Sequence, residues 1–515
     1  MAGSKLLLDT NIFIALEDPA AVPASIAALA RKASMHGLSL YLHEASVLDM
    51  ERDRNMTRRE VTRSKQEKFE ILRGIAHRSA DILLARFGPV RDDNDRCDVW
   101  LLDTLDLSIV DFLVTEDIGI HRRAERAQLR NRVFTAREAL GWIQRTYEPK
   151  DIELRHIASR KVHQIATDDA IFESLREDYR GFDAWLARCR GEHRDCWVVE
   201  IEGELAGLVI RKDETHADAR TRHPGPKVLK ICTLKMKPEF QGERFGEQLL
   251  KKIFWFAQAN RYDLIYLTVY PKHEFLMLLL QTFGFEVTQK REDGELVMER
   301  PMAHGTLETR VDRSDILAED LRFYPRFYDI PAVRKYIVPI QADFHAILFP
   351  EIAEAAALPL LPWDRYLLPI TGEGRRTPGN TIRKVYISRS PTRSLLPGDV
   401  LLFYLSKTAN LDRSQCLTTI GVVEGTHLAR SPEELLRLVG RRSVFSQTRL
   451  EGMQPTTKSP VLVIDFLLNG HFAPAVPLST LIAGHVFKRR PPQSIYRLPE
   501  SVYQSLQSSL QIAPE

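Results

Sequence analysis

Asp9 closes a run of three leucines, Leu6 to Leu8, and is followed at once by Thr10 and Asn11. An uninterrupted apolar run of this kind is expected of a strand buried in a parallel sheet. Its carboxylate then stands at the strand's C-terminal edge, where open α/β sheets hold their ligands. Thr10 and Asn11 supply a hydroxyl and an amide that can cap the next helix and hold the carboxylate. The stretch NDRCDVWLLDTLDLSIVDFLVTED, residues 94 to 117, repeats the device. It predicts a helix from about Asp98 to Asp106, a strand from Asp111 to Thr115, and Asp117 just past the strand end. Asp9, Asp98 and Asp117 are thus expected on one rim. Carboxylates gathered there repel one another, and a hard divalent cation with oxygen ligands, Mg²⁺ or Mn²⁺, is the usual means of keeping them ionised. Such a cation activates water and neutralises phosphodiester charge, so the chemistry implied is metal-assisted hydrolysis of nucleic acid. Any one of these acids alone reads equally well as a helix cap or part of a solvated face; the combination argues for a site.

With those residues in place, positions 4 to 147 resemble the PIN-domain nucleases. The matching pieces are Asp9 in LLLDTN, Asp49 in YLHEASVLDMERD, Asp98 in DRCDVWLL, and Thr115 with Asp117 in FLVTED. The resemblance implies an α/β/α parallel sheet in which Asp9, Asp98 and Asp117 bind the metal and Asp49 supports them. It also implies a single-strand-preferring ribonuclease, often a toxin with an antitoxin partner, and a homodimer. Glu44 can fill the role of Asp49, and Asp95 competes with Asp98 by one helical turn. Immediately after Asp117, residues His121 to Arg137 set Arg122, Arg123, Arg126, Arg130, Arg132 and Arg137 against Glu125 alone. That stretch reads either as a surface for a phosphate backbone or as a solvated helix face.

The elements that must position these groups belong to a chain of 515 residues, 44% hydrophobic and 27% charged. That length and composition suit an α/β multidomain protein of about three units, and a net charge of +3 decides nothing by itself. Five scattered cysteines without a CxxC pair argue for a reducing cytoplasm and against structural zinc. Asp9 interrupts the N-terminal apolar run, so no signal peptide is expected, and no run is long enough to predict a membrane span. Punctuation in the chain places units at 1–148, 150–301 and 338–515, with a connector at 302–337.

In the middle unit the strands CWVVEIEG, ELAGLVIRK and VLKICTLKM precede a loop from Lys237 to Gly246 and a helix. A loop of that kind aims backbone N–H groups and a helix N-terminus at one point, a geometry that suits a pyrophosphate. With a further strand, LIYLTVY, and a closing GFE, residues 155 to 300 resemble the GNAT acyltransferases, which have a mixed sheet and bind acetyl-CoA on a Q/R-x-x-G-x-G/A loop. The resemblance places the cofactor on Gln241, Gly242, Arg244 and Gly246. Arg244 stands where the family has its central glycine, and Leu280 where it often has an acid tyrosine. Tyr270 and His273 can substitute as proton carriers. Both an acetyl-CoA sensor and an acetyltransferase acting on RNA, aminoacyl-tRNA or protein follow from this.

The last unit alternates apolar and polar residues in GNTIRKVYISRSPTRSLLPGDVLLFYLSK, residues 379 to 407, which predicts two strands joined at Leu396-Pro397-Gly398-Asp399. LTTIGVVEG and SPVLVIDFLL add two more. The LxPGDxLxFY…IGVVE pattern resembles the PUA-like superfamily, its ASCH and EVE branches above all, over 339 to 490. It implies a small β-barrel that recognises RNA. Arg375, Arg376, Arg383, Lys384, Arg389 and Arg393 would lie around its first strand, with Tyr386, Phe403 and Tyr404 as a stacking face; adjacency on one strand requires that at least one of Phe403 and Tyr404 be buried. Together the three units point first to a metal-dependent endoribonuclease of toxin or defence type acting on RNA, tRNA included. The alternatives are an acetyltransferase whose N-terminal unit only binds, or a non-enzymatic RNA-binding regulator.

Overall fold

The computed structural model describes residues 4–16, 22–51, 63, 65–148, 157–201, 204–237, 245–304, 307, 311–350, 352, 381–407, 414–442, 447–487, 490–507 and 512–513. They form two compact units, one of residues 1–150 with 429–460, the other of 151–428 with 461–515.

In the first unit five parallel strands, β1 (Lys5–Leu8), β2 (Ser39–His43), β3 (Glu70–Leu72), β4 (Phe112–Val114) and β5 (Val133–Phe134), lie in the order β3-β2-β1-β4-β5. Leu6 and Leu8 face one core with Phe112, Phe134 and Trp142, while Leu7 faces another with Tyr41, Leu101 and Leu113. Burial on both faces is what makes β1 an unbroken apolar run. The helices Ala24–Met35 and Ala136–Tyr147 cover the first face, and Asp93–Asp106 with Ile118–Arg126 cover the second. The helix expected to start near Asp98 starts at Asp93, because Asp92 caps it by accepting from the Asp95 N–H at 2.8 Å.

The segment 429–460, which the sequence places in the C-terminal unit, belongs to this first unit. It supplies the helices Pro432–Val439 and Gln447–Gly452. Asp111 holds it: one carboxylate oxygen accepts from Arg437 at 3.1 Å, and the other from the Lys5 N–H at 2.8 Å. Leu436 packs against the core beneath.

The second unit contains two sheets. The first has strands β6 (Ile157–Lys161), β7 (Asp195–Ile201), β8 (Glu204–Glu214), β9 (Val228–Met236), β10 (Leu264–Val269), β11 (Glu286–Lys290) and β12 (Leu296–Pro301), in the order β11-β12-β10-β9-β8-β7-β6. It is antiparallel except between β9 and β10. The helix Phe245–Ala259 packs on one face and Phe182–Gly191 on the other. The middle unit is therefore a mixed α/β sheet, as expected; the expected hairpin residues Glu202 and Gly203 lie outside the described residues.

The second sheet departs from the sequence reading. Its strands β13 (Lys335–Ile340), β14 (Arg383–Ser388), β15 (Val400–Leu405), β16 (Cys416–Ala429), β17 (Val461–Pro477) and β18 (Tyr496–Leu498) run β14-β17-β16-β15-β13-β18, with β19 (Ile512–Ala513) on β17. β14 and β15 do not form the predicted hairpin: β14 pairs with β17, and β15 with β13 and β16. The reason lies at Asp399 in the turn. Its fully buried carboxylate is held by Arg313 at 2.6 Å and Arg334 at 2.8 Å, which brings β15 alongside β13. Among the described residues no pairing of β14 with β18 closes the sheet, so a barrel is not formed by them. The stretch 302–337, expected to be a connector, contributes Ile316, Tyr324, Tyr328 and Val333 to the core. All five cysteines are free, and among the described residues no helix is long and apolar enough to cross a membrane.

Candidate functional site

In the first unit Asp9 directly follows β1 and is 6% exposed. One carboxylate oxygen accepts from the Thr10 N–H at 2.6 Å, the other from Thr115 Oγ1 at 2.6 Å and Asn11 Nδ2 at 2.7 Å. The Asn11 amide thus holds the carboxylate, while the hydroxyl comes from Thr115 and Thr10 contributes only its backbone N–H. Asp117 caps the helix Ile118–Arg126 by accepting from the Gly119 and Ile120 N–H groups at 2.6 and 3.1 Å. Burial pushes Asp9 up to about 6, with Asp117 adding repulsion. Asp98 is pushed up to about 7, by burial first and then by Asp117 and Asp9. The Cys97 thiol, raised to about 12 chiefly by burial, also feels the charges of Asp9, Asp98 and Asp49. The four acids therefore lie within electrostatic reach of one another's neighbourhood. The two competitors are occupied elsewhere: Glu44 accepts from the Gly74 N–H at 3.0 Å, and Asp95 is paired with Arg91 at 2.9 Å and Arg123 at 3.0 Å.

Carboxylates are the right donors for Mg²⁺ or Mn²⁺, but this arrangement does not form a ligand set. Among the described residues no three His, Cys, Asp or Glu side chains are grouped so as to hold a metal ion. The physical reason is that Asp9 and Asp117 have their oxygens turned to Thr115, Asn11 and backbone N–H groups. The arginine stretch is likewise partly used inside the unit. Arg123 donates to the carbonyls of Phe87 and Pro89, Arg132 to those of Asp111 and Val110, and Arg130 to Glu125. Arg122 and Arg126 are exposed.

A pH dependence follows. With Asp9 and Asp98 raised from 3.8 to about 6 and about 7, the folded unit holds protons that the unfolded chain has released. Their stabilising contribution is full below about pH 4 and is lost as the pH rises through 6 to 7. Calorimetric melting is expected to show the melting temperature of this unit falling from pH 5 to pH 8. Asp98→Asn should flatten that fall and raise stability at pH 8 by about 1–3 kcal/mol.

In the second unit the parallel pair β9 and β10 is in register only from Val228↔Leu264 to Ile231↔Leu267. Beyond that point the pairing stops, although both strands continue. Just there the ladder between β8 and β9 shifts register, with Ile210 opposite Thr233 and Arg211 opposite Ile231, so Cys232 forms a bulge. A bulge sharpens the local twist and re-aims a strand, which explains why β9 parts from β10 beyond Ile231. The helix Phe245–Ala259 is the next described element after β9. Gly246, in its first turn, has no atom within 4 Å of where a Cβ would lie. Gln241, Gly242 and Arg244 lie outside the described residues.

Residues 159–285 match the model of the Acetyltransferase (GNAT) family. This part of the chain is similar to the GNAT acetyltransferases. Among solved structures, the chain is similar to a putative GNAT acetyltransferase of Desulfovibrio desulfuricans, at 13% identity over 28% of this chain and 99% of that one, with a TM-score of 0.23. It is also similar to the ribosomal-protein-S18-alanine N-acetyltransferase of Escherichia coli, at 17% identity over 30% and 99% of the two chains and a TM-score of 0.23. A third is the PaiA N-acetyltransferase of Thermoplasma acidophilum in complex with coenzyme A, at 16% identity over 27% and 81% and a TM-score of 0.20. No curated protein sequence matches the chain.

At the end of β10, Tyr270 follows the strand and His273 precedes the helix Glu274–Thr282. His273 lies 3.9 Å from Asp178, which is already ion-paired with Lys272. Leu280 is fully buried, so its place in the core is filled by packing rather than by a proton carrier. Sequence reasoning missed Tyr179 and Glu295. The Tyr179 ring lies 5.1 Å from that of Tyr270, and burial first and then the charge of Glu295 push its phenol up. No sequence signal could join them, since they come from distant elements.

The aromatic and basic groups expected to read RNA in the C-terminal sheet are turned inward. Phe403 and Tyr404 are both buried, because β15 is covered on both faces, and Tyr386 is half-buried with its hydroxyl donating to the Pro339 carbonyl at 2.8 Å. Arg383 is ion-paired with Glu424 at 2.7 Å, and Lys384 donates to the Leu348 carbonyl at 2.6 Å. Arg393 donates to the carbonyls of Ser390 and Thr392. Arg389 is exposed, and Arg375 and Arg376 lie outside the described residues.

Proposed function

We propose that the chain is an acetyl-CoA-dependent acyltransferase. The observation that carries this reading is the coincidence of the GNAT match over 159–285 with a bulged β9 that parts from β10. An opened parallel pair frees backbone groups that a thioester and its pantetheine arm can use, and the following helix offers its N-terminus to the pyrophosphate. The acceptor is proposed to be RNA, aminoacyl-tRNA or protein, delivered by the other parts of the chain. Calorimetric titration of the full-length protein with acetyl-CoA tests the first step. Saturable 1:1 binding, absent for dephosphorylated adenosine, is expected; no binding would remove the reading.

A second reading starts from the mutual repulsion of Asp9, Asp98 and Asp117. It is cleavage of RNA at that rim, by a PIN-like unit that pairs with itself or with an antitoxin. Incubation of total tRNA with the wild type beside Asp98→Asn, with and without Mn²⁺, tests it. Cutting that the variant lacks is expected, and intact RNA in every lane would remove it.

A further inference from the structure

We infer that the start of the β14–β17 ladder positions the helix Phe245–Ala259 for acetyl-CoA, so that cofactor binding and the C-terminal sheet are coupled through that helix. The inference rests on the acyltransferase reading. It begins with Glu247, Lys251 and Trp255, which stand at i, i+4 and i+8 of the helix and so fall on one stripe. Lys251 Nζ lies 5.1 Å from the centre of the Trp255 ring, and the His471 ring of β17 meets that indole edge-on at 5.7 Å. Trp255 Nε1 donates to the Tyr324 hydroxyl at 2.9 Å, and the hydroxyl donates to the Leu468 carbonyl of β17 at 2.6 Å. Trp255, Tyr324 and Leu468 are all buried. In the first turn of the helix, Glu247 accepts at 2.8 Å from the N–H of Arg383, the first residue of β14.

The two holding points meet on one short piece of ladder. Arg383 pairs with Leu467, and the Ile382 carbonyl accepts from the Leu468 N–H at 2.7 Å. Glu247 and Trp255 stand about 12 Å apart along the helix axis. The ladder therefore holds the helix near its start and again two turns on, which fixes its direction as well as its position. Buried hydrogen bonds of this kind cannot be given up without stranding their partners, so a shift of the ladder carries the helix with it. Tyr324, Arg383 and Leu468 all lie beyond the part of the chain, 159–285, that matches the acetyltransferase family.

The bond at Glu247 adds a second effect. An acid in the first turn of a helix commonly turns back onto the helix's own unsatisfied N–H groups, the groups that the acyltransferase reading gives to the pyrophosphate. Here the Arg383 N–H claims that carboxylate. The C-terminal sheet thus directs the negative charge at the start of the helix as well as the helix itself.

Hydrogen exchange of the full-length protein with and without saturating acetyl-CoA reads the coupling, because binding linkage is reciprocal. Acetyl-CoA is expected to slow exchange at least ~5-fold in β14 and β17, and less in β13 and β18 of the same sheet, which share any general stabilisation by the ligand. Tyr324→Phe keeps the ring in the core and removes both hydroxyl bonds. It should weaken acetyl-CoA binding in calorimetric titration at least ~5-fold and cancel the extra protection of β14 and β17 at saturation. Equal slowing of all four strands in the wild type, or none, would overturn the inference, as would a Tyr324→Phe protein that binds and protects like the wild type. If the variant does not fold, the wild-type comparison of the four strands decides alone. Failure of the wild type to bind acetyl-CoA would instead remove the acyltransferase reading beneath it.

Discussion

Gly440→Ala lowers the stability of the first unit by about 3–5 kcal/mol and speeds hydrogen exchange in the helices Ala24–Met35 and Ala136–Tyr147. Gly440 ends the helix Pro432–Val439 with φ +44° and ψ −135°, a conformation essentially confined to glycine. A Cβ there would lie 2.2 Å from the carbonyl oxygen of Asn131, which is backbone and cannot swing aside. The clash would lift the segment that carries Arg437, leaving Asp111 with the Lys5 N–H alone, and would uncover the core where Leu436 rests. Exchange mass spectrometry read separately over each unit checks the outcome: protection should fall in the first unit and persist in the second. Wild-type protection in both helices would show that the segment is dispensable.

The second large effect is at Arg300. This arginine is 1% exposed and has no carboxylate partner; it donates to the carbonyls of Phe283, Arg322 and Tyr324 at 2.5, 2.9 and 2.5 Å. Its guanidinium also lies 4.4 Å from the centre of the Phe254 ring. Tyr324 in turn accepts from Trp255 Nε1 and donates to the Leu468 carbonyl. Gly284 beside it has φ +81°, and a Cβ would meet the Arg322 carbonyl at 2.7 Å. Arg300→Ala strands three buried carbonyls and opens a cavity, so a loss of about 4–5 kcal/mol is expected. Arg300→Lys, lacking the fork, should recover only part of it. Urea unfolding followed by tryptophan fluorescence checks the pair, and a change under 1 kcal/mol for Arg300→Ala would count against the assigned role.

These two sites also mark where sequence reading stops. The N-terminal strand and its terminal Asp9 were legible because they form a local pattern, an apolar run ended by a polar residue; the cap that Asp117 makes on the helix Ile118–Arg126 was not anticipated. The strand Val228–Met236 was legible for the same reason. Arg300 was not, because its partners are carbonyls drawn from two separate segments, and a carbonyl has no sequence. The PGD turn misled: Gly398 does take a left-handed φ of +80°, as a hairpin would require, but Asp399 binds two distant arginines and sends β15 to β13. Alternation in Gly379 to Lys407 similarly suggested an exposed face, whereas β15 is enclosed on both sides and Phe403 and Tyr404 both vanish into the core. For the site, Asp9, Asp98 and Asp117 could be named from local context and Asp49 only from the resemblance, but the partners that occupy Glu44 and Asp95 could not.

The chain's route through its first unit has a consequence for its birth on the ribosome. A domain that ends at Lys150 could fold as soon as it clears the exit tunnel. This one must wait, because the helix that carries Arg437 is encoded after residues 151–428, a delay on the order of 15–60 s at ordinary elongation rates. During that interval the surface around Asp111 and Asn131 stands open in the nascent chain. A message broken anywhere in the middle of the coding region would release a product whose first unit lacks the helix that carries Arg437.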